Sequence, residues 1–161
     1  WLPFAVGAFA NLLGGITSDA LVKRIGLQWG RRLVGLCDMG VSALFLGATM
    51  FTADKVWTIV FLAVGFAGSD FMLPVAWAVC LDIGNKYAGA LTGAMNMAGQ
   101  AGSFLTAVVF GYLVQAFGTY NAPLLPMAIL TGVSALLWLK IDPTEPLVPE
   151  GTTEAPVSTP A

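Results

Sequence analysis

The sequence predicts an all-α membrane protein of five transmembrane helices, and three observations carry that prediction. Of 161 residues, 57% are hydrophobic and only 10% are charged, against about 25% charged in a typical soluble domain. The apolar residues gather in runs close to the ~20 needed to cross the hydrocarbon core of a bilayer. The runs also lack the polar–apolar alternation, over ~10 residues, that marks the strands of a membrane barrel. A long apolar run in lipid must satisfy its own backbone polar groups, so it must be a helix.

The five predicted helices fall at about 2–17, 33–52, 56–81, 88–116 and 122–139. The first opens inside an apolar run at Trp1 and reads as cut short, as in a fragment. Basic residues separate the two sides. Lys23, Arg24, Arg31 and Arg32 follow the first helix, Lys86 follows the third, and Lys140 ends the fifth. The other side holds Lys55 alone. The excess of basic residues on cytoplasmic loops then predicts an outside N-terminus and a cytoplasmic C-terminus, in a plasma membrane of bacterial inner-membrane type. Trp57, Tyr112, Tyr120 and Trp138 lie near helix ends, as in an interfacial aromatic belt. Residues 141–161 are rich in Pro, Thr and Glu and read as a disordered cytoplasmic tail.

Composition also excludes function classes. There is no histidine, which removes Ser-His and Cys-His catalysis and histidine metal sites. No metal-ligand cluster and no cofactor motif are present, so neither metal nor cofactor is expected. The net charge of −2, without a basic patch interleaved with aromatics, argues against nucleic acid. Membrane lipid is the expected surrounding partner. Cys37 and Cys80 read as reduced, small core residues.

Polar groups inside a bilayer are costly and usually face a cavity or a partner. On the fourth helix Thr92, Asn96, Gln100 and Ser103 recur at spacings of four, four and three, which makes one polar stripe. Ala90, Ala94, Ala98 and Gly102 form a small-residue seam suited to close helix packing. The stripe reads either as a substrate-binding face or as interhelical hydrogen bonding. On the third helix Pro74 removes a backbone bond. Asp70 and Trp77 share a face there. Trp77 reads as a ligand-stacking or packing residue. Asp70 reads as an ion or proton site, or as a polar residue at a cavity mouth. Asp38 is expected to pair with an arginine at the cytoplasmic end, and Asn11 to make a helix contact.

The stretch "GGITSDALVKRIGLQWGRR" resembles the cytoplasmic signature of the major facilitator superfamily, through Gly15, Asp19, Gly30, Arg31 and Arg32. Gly15 would permit close helix approach. Asp19 would cap a helix or accept from a guanidinium. Arg31 and Arg32 would hold carboxylates or helix-end carbonyls as part of a cytoplasmic gate. The stretch "WAVCLDIGNKYAGALTGAMNMAGQAGSF" is similar to the tenth-to-eleventh helix region of the superfamily's anion:cation symporter branch. This chain departs from that branch at Asn85, where Pro is common, and at Gln100, where a second Asn is common.

The resemblance implies helices 8–12 of a twelve-helix fold built from two halves, with helices 1–7 as the absent partner. It implies a secondary transporter of small organic anions, such as sugar acids, coupled to protons or sodium by alternating access. It assigns Asn96 to substrate binding and Trp77 to the cavity wall, with Gln100 and Ser103 as further substrate-binding candidates and Asp70 as the ion-coupling candidate. The branch's main anion-binding arginine lies in the first half. No Lys or Arg falls deep in these five helices, so an anion site here would be incomplete. The rival reading is a non-transporting membrane interaction protein, or a remnant that assembles with a separate half. An intramembrane enzyme has no supporting constellation.

Overall fold

The computed structural model describes residues 2–147, and the expected disorder of residues 148–161 falls outside that range. The described chain is helical, in the order α1 (Leu2–Ile25), α2 (Leu27–Thr49), α3 (Lys55–Gly84), α4 (Ala88–Phe117) and α5 (Leu124–Leu137). Short 3-10 turns at Asn85–Tyr87 and Trp138–Lys140 follow α3 and α5. No strand occurs among the described residues. α1, α2 and the α3–α4 stretch are long and apolar enough to cross a bilayer, while the last apolar helix, Leu124–Lys140, is shorter.

α1 runs to Ile25 instead of ending near residue 17. Lys23 and Arg24 occupy its last turn, where cations oppose the negative end of the helix dipole. Gly26 alone separates α1 from α2, at φ 88°, a conformation that costs glycine nothing. The polar knot of the sequence is therefore a hairpin corner, not a loop. Asp54 begins α3, its carboxylate accepting from the amides of Val56 at 2.8 Å and Trp57 at 3.2 Å, a strong N-cap arrangement. α3 then runs unbroken for 30 residues, through Pro74, or about 45 Å at 1.5 Å per residue. Asn85, at φ 43°, turns the chain back into α4. A proline ring fixes φ near −65°, so this turn is incompatible with the proline common in the resembled branch.

Packing between the helices depends on small residues, because apolar burial alone does not favour helix over lipid. At Gly14 an added Cβ would lie 2.0 Å from the Phe71 carbonyl oxygen, so α1 and α3 touch backbone to backbone there. The expected contact point, Gly15, has ordinary spacing instead, 3.7 Å from Pro74. Between α2 and α3, the Ser42 hydroxyl donates to the Gly65 carbonyl at 2.5 Å and lies 3.2 Å from the Ser69 hydroxyl. The core joins Val34 and Met39 of α2, Val75 and Val79 of α3, Ala135 of α5 and Trp138.

Two sequence expectations fail in this core. Trp138 is not a belt residue: it is 5% exposed, and its ring lies on the backbone of Gly35, where a Cβ would meet it at 2.2 Å. The ring fits because Gly35 leaves the α2 backbone bare. Cys37 is exposed while Cys80 is buried, so only Cys80 behaves as a core residue. Its thiol lies 3.4 Å from the Met95 sulfur.

Candidate functional site

The basic end of the bundle is tied together by two adjacent arginines that α2 presents just past the Gly26 corner. Arg31 is 7% exposed. Its Nη1 donates to the Ser18 hydroxyl at 2.7 Å and to Asp19 at 3.0 Å, and its Nε donates to Asp82 at 3.2 Å. One guanidinium thus joins α1, α2 and α3. Its planar fork with donors on several edges suits that task, and a lysine's point charge would not. Gly30 is what lets α2 start so close to α1, since a Cβ there would sit 2.7 Å from the Val22 backbone.

Arg32 reaches the segment after α5. Its Nε donates to the Ile141 carbonyl at 2.5 Å, its Nη2 lies 3.6 Å from Asp142, and Trp29 lies against its guanidinium with the ring centroid at 5.8 Å. Gln28 also donates to Asp142. The hydrogen bonds from Thr144, together with Gln28 and Arg32, hold the Asp142 carboxyl below the usual carboxylate range. Pro143 is fully buried, and the Leu147 amide donates to the Ile83 carbonyl at 2.9 Å. The first residues of the expected tail are therefore packed as a strap from the end of α5 to the end of α3.

Asp38 departs from its expected role. Arg31 and Arg32 are both engaged elsewhere, and one Asp38 carboxyl oxygen is buried without a hydrogen-bond partner. The two arginines point toward the helix ends, where Asp82, Asp19 and Ile141 satisfy them, and Asp38 lies two turns further along α2.

The polar stripe of α4 has a different setting. α4 packs on α3 near the turn and stands off α2 and α5. The resulting cleft, about 780 Å³, is lined by Gly102, Ser103 and Thr106 of α4, Met39 of α2, and Thr131 and Ser134 of α5. Ser103 therefore faces hydroxyl groups of α5 that sequence reasoning missed. A pairing of Thr131 and Ser134 with α4 has no sequence spacing to betray it. Thr92 donates to the Ala88 carbonyl of its own helix at 2.7 Å. Asn96 and Gln100 are exposed, and neither amide has a hydrogen-bond partner among the described residues. The Ala90–Ala94–Ala98–Gly102 seam, expected to pack a neighbouring helix, is also exposed. None of the glycines of α4 has a neighbour within 4 Å of its would-be Cβ.

On α3, Trp77 is 43% exposed and Asp70 is partly buried. The Asp70 carboxylate closes on Gly7 of α1, where a Cβ would overlap it. Asn11 is partly exposed and has no side-chain hydrogen bond among the described residues. The described residues contain no group of three His, Cys, Asp or Glu able to hold a metal.

Comparison with known proteins adds to this geometry. The family model of the Major Facilitator Superfamily matches residues 2–161. A probable sulfoacetate transporter of Cupriavidus necator is 36% identical over 143 residues, covering 88% of this chain and 33% of the relative. A probable galactarate/D-glucarate transporter of Bacillus subtilis is 31% identical over 138 residues, covering 84% of this chain and 29% of its own. A D-galactonate transporter of Escherichia coli is 29% identical over 119 residues, covering 73% and 27%. The chain thus spans about a third of the length of the curated relatives it matches. No solved structure gives a significant match.

Proposed function

The chain belongs to the major facilitator superfamily and is an integral membrane protein, and from that premise we propose that it supplies part of the transport path for a small organic anion. The observation that carries this reading is the pair of amides, Asn96 and Gln100, exposed on an apolar helix and without a hydrogen-bond partner among the described residues. Two primary amides in hydrocarbon without partners are costly. They are retained at least cost where a hydrated cavity or a substrate's oxygens complete them.

In this reading Asn96 donates its amide N–H groups to a substrate carboxylate or hydroxyl. Gln100 and Ser103 extend the same face, and Trp77 forms an apolar wall for the carbon chain of the substrate. The three relatives named above are, by their names, transporters of sulfoacetate, galactarate/D-glucarate and D-galactonate, all small polar anions, which supports that substrate class. Lys and Arg occur only at helix ends in this chain. The cation that balances the bound anion therefore comes from the part of the relatives' fold that lies outside the match, which this proposal identifies with helices 1–7. These five helices then correspond to helices 8–12, with the basic end cytoplasmic, the N-terminal end of α1 outside and the membrane a bacterial inner membrane.

Transport in this scheme is alternating access about a midplane site. The basic-end network keeps α1, α2, α3 and the strap together as one moving body, with Gly15, Asp19, Gly30, Arg31 and Arg32 as its part of the cytoplasmic gate. Asp19 is well suited to reach beyond the body, since its side chain is 66% exposed while still bonded to Arg31. Coupling is to protons or sodium, with Asp70 as the coupling acid.

The test is uptake by the intact protein in proteoliposomes. A panel of sulfonates, aldonates, aldarates and simple monocarboxylates would be offered under an imposed pH gradient, a sodium gradient, or neither. Gradient-driven accumulation of one class supports the proposal. Failure to move any member of the panel, by protein that is inserted and folded, would overturn the substrate class.

A further inference from the structure

We infer that residues 141–147 act as a clasp that holds the turn between α3 and α4 in a conformation its own residues disfavour. The turn is Asn85–Tyr87, and Asn85 stands there at φ 43° and ψ −120°. That is the mirror image of a common turn position, and it suits glycine. A residue with a Cβ keeps such a backbone only where the surrounding structure over-determines it.

The last turn of α3 is held from two directions. Asp82 accepts from Arg31 Nε at 3.2 Å, which ties it to α2. The next carbonyl, that of Ile83, accepts from the Leu147 amide at 2.9 Å. It is among the last four carbonyls of the helix, which have no partner within it. A segment from beyond α5 thus caps the end of α3. Ile83 and Ile141, at the two ends of the clasp, both pack against the core that contains Val79 and Trp138.

The clasp is fastened on α2 as well. Arg32 Nε donates to the Ile141 carbonyl at 2.5 Å, and Gln28 donates to Asp142. The Thr144 amide and hydroxyl close on the same carboxylate at 3.0 and 2.5 Å, and Pro143 between them is fully buried. The adjacent arginines therefore restrain α3 by two routes, Arg31 directly and Arg32 through the clasp. α4 starts straight after the turn, with the Ala88 amide donating to the Asn85 carbonyl. The clasp sets the direction in which α4 leaves α3, which makes the C-terminal segment a positioning element for the Asn96 face. That consequence rests on the transport reading above, whereas the clasp itself does not.

The test is amide hydrogen exchange of the intact protein in lipid, followed by mass spectrometry and read at the turn and along α3. Leu147→Pro removes the capping N–H, and Arg32→Ala frees the other end of the clasp. Each should speed exchange at the turn by about two- to tenfold, the shift expected from losing one net hydrogen bond, and leave the Asp54 end of α3 unchanged. Leu147→Ala keeps the amide and should exchange like wild type. In an Asn85→Gly background the turn is unstrained, so Leu147→Pro should have a smaller effect there. Wild-type exchange at the turn in Leu147→Pro overturns the inference, and so does an equal effect in the two backgrounds. Acceleration spread evenly along α3 in both release variants also overturns it, because the segment would then support the whole bundle and not the turn.

Discussion

Replacing Arg31 with alanine is expected to destabilise the bundle by about 3–5 kcal/mol. The residue is 7% exposed and donates to three side chains at 2.7, 3.0 and 3.2 Å. Its bond to Ser18 is buried and charge-assisted, a class worth about 1.5–3 kcal/mol. The Asp82 contact is only partly open to solvent, at 23% exposure, and losing it strands a carboxylate, which adds about 1–2 kcal/mol. The Asp19 pair is discounted to under about 1 kcal/mol, because the Asp19 side chain is 66% exposed. Together these give about 2.5–6 kcal/mol, which brackets the range of about 3–5 kcal/mol seen when one partner of a buried ion pair is removed. Equilibrium unfolding of the intact protein in mixed micelles would measure it. Arg31→Lys should recover only part of the loss, since one ammonium cannot span Ser18, Asp19 and Asp82. An Arg31→Ala penalty under about 1 kcal/mol would refute the claim that this guanidinium holds α1, α2 and α3 together.

Gly14→Ala should cost about 1–3 kcal/mol, the usual penalty of overpacking, because its Cβ meets the Phe71 carbonyl at 2.0 Å; Gly15→Ala, at 3.7 Å from Pro74, should be nearly neutral. Membrane abundance of the two variants checks this, and equal abundance would count against the backbone contact at Gly14. Asp142 has a folded-state pKa below its ordinary value. Its contribution is therefore complete above the ordinary carboxylate pKa of about 4 and is lost as pH falls through the lowered folded value. Asp142→Asn should remove this part of the acid dependence of unfolding, and an unchanged acid limb would show that the strap does not depend on that carboxylate.

The helices and the basic end were legible because they rest on hydropathy and charge, which a single sequence carries openly. The Gly-Arg-Arg run and Asp19 stood out as candidates for pairing, and the structure joins Arg31 to Asp19. It could not show that Asp82, fifty-one residues from Arg31 in the chain, shares the same guanidinium. Gly14 and Gly15 are adjacent glycines, and only the rotation of α1 on α3 decides which meets backbone. Trp138 stands at a helix end, where a belt residue and a buried one look alike in sequence; the bare Gly35 backbone decides for burial. Asp38 was assigned a partner by proximity along the chain, but helix direction sends Arg31 and Arg32 away from it. The α4 stripe was visible as a 3.6-residue pattern. The hydroxyls of Thr131 and Ser134 across the cleft depend on how α4 and α5 stand, which periodicity does not encode.

The central claim is that the uncovered amides of α4 serve a substrate, and the most direct measurement is uptake by the intact protein carrying Asn96→Ala, with membrane abundance matched to wild type. Loss of a hydrogen bond to a charged ligand, worth about 1.5–3 kcal/mol, predicts a fall in kcat/KM of about tenfold or more. Thr92→Ala should transport normally, because that hydroxyl is bonded to its own helix. Normal uptake by Asn96→Ala at equal abundance would contradict the account.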